Sequence, residues 1–315
     1  MADALASNAD TVVTWGGTQS NWCLQTAAAA ARAGIRAVLV LLAKSDAPAR
    51  EGGNELLDHL CGATVRVLEV EPDRGFLNLA DIADLVMPIM DEETTTGRRP
   101  YLAPIGGSVT EGSMTEPLGA MGYANALVEL VEQMASRDLR IDTVVHVSGS
   151  AGTQAGLVAA AKVVAPDLRI VGISVASDRE TLGAKVRAIA EDLFETLAID
   201  ARIEDDDVIV IDQCLDPGYG ILTPEVRRAI ADLAQSLGVF SIEQTFFELV
   251  HEPLDERPWN HATAAQADGP FKHKDEEHER TNRNRDHQRA TAMHQLEHVG
   301  GGNRGVLAKQ PDLVG

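Results

Sequence analysis

The sequence predicts an α/β protein in which parallel strands are flanked by helices. Between about Thr11 and Gly238, short β-branched and aliphatic runs alternate with longer helical patterns. This alternation is typical of right-handed βαβ units, which build a mostly parallel sheet. Several strands lead into loops rich in Gly or Pro, at the strand ends where α/β folds bind ligands. Aromatic residues make up only 4% of the chain, so the core must consist mainly of Ala, Val, Leu and Ile.

The first half of the chain predicts four strands and four helices. The strand "TVVTW" precedes a helix from Ser20 to Ala33, which ends at Gly34. The strand "AVLVLL" precedes the short helix "GGNELLDHLCG", and "TVRVLEV" precedes the helix "NLADIADLVMPIMDE". The strand "YLAPIGG" then enters a Gly-rich loop, and the long helix "GYANALVELVEQMASR" follows.

The second half predicts three more strand–helix pairs. The strand "DTVVHVSGS" precedes the helix "TQAGLVAAAKVV", and "RIVGISVAS" precedes "ETLGAKVRAIAEDLFETL". The strand "VIVIDQ" and the helix "PEVRRAIADLAQSLG" complete the pattern. We expect a smaller α/β lobe at residues 10–135, a larger α/β lobe at 136–240, and a divergent tail at 241–315.

The tail differs in composition from the rest of the chain. It holds seven of the nine histidines, and from Lys272 to Arg289 it contains almost no apolar side chains. Such a segment cannot offset its own ordering entropy, so we expect poor order from about Asp268. A His-rich tract can bind metal weakly. The His and Cys spacing of a structural metal site is absent, so we predict none.

Charge and composition exclude several classes of function. A formal net charge of −21 and an isoelectric point near 4.7 argue against nucleic acid or an anionic membrane as a partner. No apolar run reaches the roughly 18 residues of a membrane span, and "MADALASNAD" does not resemble a secretion signal. Three scattered cysteines suit a reducing cytoplasm. The acid excess with only six lysines indicates either a halophilic protein or an ordinary acidic cytoplasmic one.

The loop "SGSAGT" is a candidate phosphate site, because it joins a strand end to a helix start. Backbone N–H groups there point outward, with the positive end of the helix dipole behind them. No lysine follows the second glycine and the spacing is not G-x-G-x-x-G, so neither a Walker loop nor a Rossmann fingerprint is matched. Asp178 could bind a ribose, so a dinucleotide-binding enzyme is one alternative to a simple phosphate site. A plain strand–helix turn that binds no ligand is another. The loop residues are Ser148, Gly149, Ser150, Ala151, Gly152 and Thr153.

The turn "GGTQSN" occupies an equivalent place after the first strand. Thr18 or Ser20 could simply cap the following helix. That interpretation leaves Gln19 and Asn21 unexplained. Two amides and a hydroxyl in sequence can bind a carboxylate or a ring oxygen, which suggests a ligand site.

Two further loops are candidates for binding. Residues 103–126 are Gly-rich and precede a helix, so they form either a flexible crossover between lobes or part of a site. In "DPGYGILTPEV", Tyr219 stands between two glycines. Its ring either projects into a cleft, where the hydroxyl can donate a proton or contact substrate, or packs on its own loop.

The four loops together resemble the family of D-cysteine desulfhydrase and 1-aminocyclopropane-1-carboxylate deaminase. The motifs are "GGTQSNWCLQTAAAAARAG", "PIGG…LGAMGY", "SGSAGTQAGLVA" and "DPGYGILTPE", and the resemblance covers about Asp10 to Val239. It implies the two-lobed fold of the tryptophan synthase β subunit, the cofactor pyridoxal 5′-phosphate, a small amino-acid substrate and a homodimer.

The resemblance also implies roles for single residues. The loop from Ser148 to Thr153 would hold the cofactor phosphate, and Asn21 would hydrogen-bond the 3′-oxygen of the ring. Gln19 and Ser20 would meet the substrate carboxylate or accept a proton, and Tyr219 would face the amine or leaving group. The family commonly has His or Gln after Ser–Asn, so Trp22 is a departure that bears on the substrate.

The family's Schiff-base lysine lies upstream of this turn, in a Gly–Asn–Lys context. None of the ten residues before Thr11 is lysine, and "FSIEQTFFELVHEP" carries neither the second tyrosine nor the group that meets the pyridine nitrogen. We therefore expect a family fold that is incomplete at both ends, with exposed apolar sheet edges and marginal stability.

Two functions follow as expectations. The first is a pyridoxal-phosphate-dependent lyase or deaminase, with α,β-elimination from D-cysteine preferred over opening of the cyclopropane ring. The second is a non-catalytic protein that binds a phosphate-bearing ligand through the same loop.

Overall fold

The predicted alternation of strands and helices is confirmed in residues 1–45, 52–215 and 223–237, which are the residues that this computed structural model describes. The strands are β1 (Thr11–Gly17), β2 (Arg36–Lys44), β3 (Thr64–Val70), β4 (Pro100–Leu102), β5 (Thr143–Ser148), β6 (Arg169–Ser174) and β7 (Ile209–Ile211). The helices are α1 (Ala2–Ala6), α2 (Asn21–Ala33), α3 (Asn54–Leu60), α4 (Leu79–Thr95), α5 (Leu118–Ser136), α6 (Gly152–Val164), α7 (Arg179–Thr196) and α8 (Pro224–Leu237). Helix α8 belongs to a separate compact unit from the described residues before 216.

The first sheet has the strand order β3-β2-β1-β4 and is parallel throughout. Strand β1 is one of its two inner strands and is buried over six of its seven residues, because helices cover both faces of the sheet. On one face, Val12 packs with the α2 side chains. On the other, Val13 and Trp15 pack with Ile82 of α4. Burial on both faces explains why β1 reads as a continuous apolar run.

The second sheet has the order β5-β6-β7 and is also parallel. Helices α5, α6 and α7 form a single core with it, and α6 is buried over most of its length. On strand β5, Val145 and Val147 point to the same face and are 62% and 60% exposed. The sheet therefore leaves an apolar face of β5 open to solvent.

Helix α1 was not predicted. Its Ala4 is buried in the core beside α2, and the Tyr101 hydroxyl donates a hydrogen bond to the Asp3 carboxylate. Five residues carry too little periodicity to reveal a helix, and its position depends on contacts with strand β4, almost a hundred residues away. The predicted tail and the 135/136 lobe boundary stay predictions, and the tail lies outside the described residues.

No helix in the described part of the chain is long and apolar enough to cross a membrane. Among the same residues, no group of three His, Cys, Asp or Glu side chains is arranged to hold a metal ion.

Candidate cofactor and substrate site

Three of the four predicted loops meet beyond the carboxyl ends of β1, β4 and β5. An added Cβ at Gly107 would lie 3.0 Å from Cη2 of Trp22. One at Gly106 would lie 2.6 Å from Oγ of Ser150, and one at Gly152 would lie 2.0 Å from Oγ of Ser108. The turn after β1, the Gly106–Ser108 loop and the Ser148–Thr153 loop thus form one site, and glycines permit their close approach.

The contact between Ser108 and Gly152 predicts a specific loss of stability. In Gly152→Ala the new Cβ would lie 2.0 Å from Oγ and 2.5 Å from Cβ of Ser108. Both atoms belong to a buried residue, so we expect the free energy of unfolding to fall by about 1–3 kcal/mol. Adding Ser108→Gly removes both obstructing atoms and should recover most of that loss. Chemical denaturation of the two single variants and the double variant measures this, and a loss that Ser108→Gly fails to relieve would contradict the contact.

The Ser148–Thr153 loop fits a phosphate group. Helix α6 begins at Gly152, and no side chain caps it. Its first N–H groups have no acceptor within the helix, and the dipole places partial positive charge there. Within the part of the chain that the structure describes, the Ser148 hydroxyl oxygen is buried without a hydrogen-bond partner. Among the same residues, a Cβ at Gly149 would meet only Val175 Cγ2, at an ordinary contact distance of 3.7 Å.

Ala151, the N-cap of α6, adopts a left-handed conformation with φ 75°. This conformation costs a non-glycine residue about 1 kcal/mol or more. A left-handed residue directly before a helix is one of the backbone conformations from which anion-binding turns are built. Local strain at the predicted phosphate loop therefore agrees with a binding role.

In the Gly16–Asn21 turn, Ser20 caps helix α2. Its Oγ accepts a hydrogen bond from Cys23 N at 3.2 Å, which confirms the capping interpretation for this residue. The cap uses a lone pair of the hydroxyl, and a Cβ at Gly16 would lie 2.5 Å from the same oxygen. Ser20 is therefore fixed in place at the mouth of the site, and its role toward substrate stays a prediction.

Gln19 is buried and bound by the segment that leads into α3. Its Nε2 donates to Gly52 O at 3.2 Å, and its Oε1 accepts from Asn54 N at 2.9 Å. Both ends of the amide are thus occupied. The amide nitrogen carries a second hydrogen, so contact with a substrate carboxylate does not require either bond to break. The substrate role of Gln19 stays a prediction.

Asn54 is a site residue that the sequence analysis missed. Its Nδ2 donates to Gln19 O at 2.9 Å and to Asn21 Oδ1 at 2.7 Å. The pair Gly52–Gly53 before it was a detectable signal, because both glycines have positive φ and permit an unusual approach of the backbone. Asn21 itself is exposed at the start of α2, with its predicted role toward the ring oxygen untested.

Trp22 forms one wall of the site. Its Nε1 donates to Thr14 Oγ1 at 2.7 Å, and that hydroxyl donates to Ala103 O at 2.6 Å. This chain of two hydrogen bonds fixes the indole against Gly107. A bulky, rigid side chain therefore stands where the resembled family commonly has His or Gln.

The described residues contain three lysines. Lys44 is exposed at the end of β2, Lys162 pairs with Asp207 at 2.7 Å, and Lys185 donates to Asn78 Oδ1 at 2.9 Å. None of these hydrogen bonds reaches the three loops. Tyr219 lies outside the described residues, so its predicted role has no structural counterpart here.

Two buried titratable side chains, Asp58 and Cys23, lie close to the Gly16–Asn21 turn. Burial, with the Glu55 charge as a smaller cause, raises the pKa of Asp58 to about 6. Burial also raises the pKa of the Cys23 thiol to about 12. Cys23 therefore stays protonated near neutral pH and does not act as a nucleophile.

Comparison with protein families gives one match over most of the chain. Residues 1–244 match the family described as "Pyridoxal-phosphate dependent enzyme". The D-cysteine desulfhydrase of Serratia proteamaculans is 36% identical over 241 residues, which cover 76% of this chain and 68% of that protein. A putative 1-aminocyclopropane-1-carboxylate deaminase of Pyrococcus abyssi is 32% identical over 238 residues, which cover 76% of this chain and 65% of the relative.

A solved structure gives the same result for the fold. The crystal structure of an ACC deaminase homologue superposes with a TM-score of 0.64 at 28% identity, and covers 79% of this chain and 70% of its own. The chain thus spans about two thirds of the length of the relatives that it matches.

Proposed function

We propose, because the chain belongs to the family of pyridoxal-phosphate-dependent enzymes, that it acts on a small amino acid by α,β-elimination, with D-cysteine as the substrate. One D-cysteine and one water would give sulfide, ammonia and pyruvate. The observation that carries the proposal is the meeting of three loops around an uncapped helix start and a buried Ser148 hydroxyl that has no hydrogen-bond partner among the described residues. Similarity to the Serratia D-cysteine desulfhydrase supports the choice of substrate.

The chain's own residues would divide the binding among the loops. The Ser148–Thr153 loop would hold the cofactor phosphate, and Asn21 would donate to the 3′-oxygen. Ser20, fixed as a helix cap, would meet the substrate carboxylate or accept a proton. Pyridoxal phosphate, when bound, supplies an electron sink for bonds broken at the α-carbon of an amino acid. Trp22 and the buried loops would exclude water from that side of the site.

A second candidate function is binding of a phosphate-bearing ligand without catalysis. It is supported by the described lysines, whose hydrogen bonds are made with Asp207 and Asn78 and not with the three loops. Covalent attachment of the cofactor needs a lysine amine at the site. The same phosphate loop would serve both functions, so binding alone does not separate them.

Turnover and labelling together test the two proposals. The purified chain is incubated with pyridoxal phosphate and then with D-cysteine, L-cysteine or 1-aminocyclopropane-1-carboxylate, and sulfide and ammonia are measured. We expect sulfide from D-cysteine in excess of that from L-cysteine. Ammonia from the cyclopropane substrate alone would overturn the D-cysteine assignment in favour of deamination.

Borohydride reduction of the same mixture, followed by peptide mass spectrometry, locates any modified lysine. Labelling of one lysine in stoichiometric amount supports the enzyme. Binding that phosphate displaces, without labelling or turnover, supports the non-catalytic function, and absence of binding would overturn both.

We further propose that the protein is a cytoplasmic homodimer, as the resemblance and the acidic composition suggest. The three cysteines, Cys23, Cys61 and Cys214, are all free thiols. Free thiols agree with a reducing compartment.

A further inference from the structure

We propose that Asn54 is a positioning residue that determines which end of the Asn21 side-chain amide faces the cofactor. This inference rests on the proposed function, because it assigns a role within the same site. Asn54 does not contact the cofactor itself in this proposal. It acts through Asn21, to which it is hydrogen-bonded at 2.7 Å.

The chemistry of the partners fixes the orientation of both amides. Gln19 O is a backbone carbonyl and can only accept, so the Asn54 atom 2.9 Å from it must be the NH₂ nitrogen. The second hydrogen of that NH₂ group points to Asn21, so the Asn21 atom 2.7 Å away must be its oxygen. The NH₂ group of Asn21 therefore does not face Asn54.

Asn54 is itself held in place by a third bond. Its backbone N–H donates to Gln19 Oε1 at 2.9 Å. Its two side-chain hydrogens and its backbone hydrogen thus all go to the Gly16–Asn21 turn. Two of these bonds hold Asn54 against Gln19, and the third orients the Asn21 amide. The orientation of Asn21 is therefore set by the fold before any ligand binds.

The consequence for a pyridoxal ring follows from hydrogen-bond polarity. No bond from Asn21 Nδ2 is made within the described residues, so this NH₂ group is available to a ligand. A donor stabilises the ionised form of the ring 3-hydroxyl, whereas an amide oxygen would stabilise the neutral form. Asn54 therefore sets the protonation state of that hydroxyl by keeping a donor turned toward it.

The test uses 4′-deoxypyridoxine 5′-phosphate, a ligand without an aldehyde, so that binding needs no lysine. The ratio of ionised to neutral 3-hydroxyl in the bound ligand is read from its ultraviolet absorbance at a fixed pH. In Asn54→Asp the new carboxylate can only accept hydrogen bonds. Asn21 must then turn its NH₂ group toward this carboxylate and its oxygen toward the ligand. We expect the ratio to fall about tenfold relative to the wild-type chain.

A matched variant controls for the added charge. Ala28 is exposed on α2, two turns beyond Asn21 and about 10 Å along the helix axis, so Ala28→Asp adds the same charge without reaching the amide pair. It should leave the ratio within about twofold of wild type, since an exposed charge about one Debye length away is largely screened. An equal fall in both variants would show a general electrostatic effect and would overturn the proposal.

Failure of the inference and failure of the proposed function give different results. Binding by the wild-type chain with an unchanged ratio in Asn54→Asp overturns the role of Asn54 alone. Absence of binding by the wild-type chain overturns the proposed function and the inference with it. If Asn54→Asp is unfolded by circular dichroism, Asn54→Ala decides. It removes both side-chain bonds without a charge, and an unchanged ratio in that variant overturns the proposal.

Discussion

Replacement of Gly156 by alanine should lower the free energy of unfolding by about 3 kcal/mol or more, at the upper end of overpacking effects. The added Cβ would lie 2.2 Å from Ala120 O, 2.8 Å from Tyr123 Cβ and 2.9 Å from Ala124 N. Two of these three atoms belong to the backbone of α5, so they cannot yield by a change of rotamer. Relief requires helices α5 and α6 to separate, and that separation would open the core between them.

Gly122 provides the matched control for this variant. It lies in α5, the helix that Gly156 of α6 faces, and a Cβ added there would meet no atom of the described residues within 4 Å. Gly122→Ala should raise stability by about 0.5–1 kcal/mol, through helix propensity alone. Chemical denaturation of both variants measures the difference. A Gly156→Ala protein as stable as Gly122→Ala would mean that α5 and α6 are not in backbone contact at this point.

The contribution of Asp58 to stability should rise as the pH is lowered from about 7.5 to 5. The folded chain raises the pKa of this carboxyl from 3.8 to about 6, so the folded state holds the proton more tightly than the unfolded state. The resulting stabilisation is complete below pH 3.8 and is lost as the pH rises through about 6. This pKa shift corresponds to about 3 kcal/mol of unfolding free energy between low pH, where Asp58 is protonated in both states, and high pH, where it is ionised in both.

Asp58→Asn isolates this contribution. The side chain keeps its shape and loses its charge. Asp58 is only 1% exposed, and neither of its oxygens is hydrogen-bonded within residues 1–45, 52–215 and 223–237. We expect the variant to exceed wild type in stability at pH 7.5 and to match it near pH 4. Comparing the variant with wild type at the same pH cancels the contributions of the other titrating groups. One of these is His146, because burial lowers its pKa. A difference that does not change with pH would rule out ionisation of Asp58 as the cause.

The strands and the order of the loops could be predicted from sequence because their signals are local. Strand β3 coincides with its predicted run "TVRVLEV". Helix α2 begins beside a capping serine and ends at a glycine with φ 72°. The hydrophobic periodicity, the capping residue and the glycine that ends the helix all lie within about a dozen residues of each other. Such elements can therefore be predicted without knowledge of tertiary contacts.

Helix α3 shows where local reasoning fails. The run "GGNELLDHLCG" predicts a short helix without an assignment of its buried face, and in the structure Leu56 and Leu60 are 53% and 74% exposed while Asp58 is buried. The hydrogen bonds that join Gly52 and Asn54 to Gln19 fix the start of the helix against the neighbouring turn. These polar contacts determine which face of α3 is buried. They join residues more than thirty positions apart in the sequence, so the periodicity of α3 alone could not reveal that face.

The same limit applies to the site. The polar turn and the phosphate loop were recognisable as separate motifs, but their meeting through Gly106, Gly107 and Gly152 depends on distances between strands. The role of Asn54 was hidden for the same reason, since its partners lie 33 and 35 residues away.

The position of Trp22 gives the protein a natural optical probe of its own site. The indole rests against Gly107, with its N–H fixed by Thr14, whereas Trp15 is completely buried in the other core of the same sheet. A ligand entering between the loops would contact Trp22 and change its emission, whereas Trp15 has no exposed surface for the ligand to contact. Occupancy could therefore be followed in real time with unlabelled protein, with the third tryptophan, Trp259, first replaced by phenylalanine.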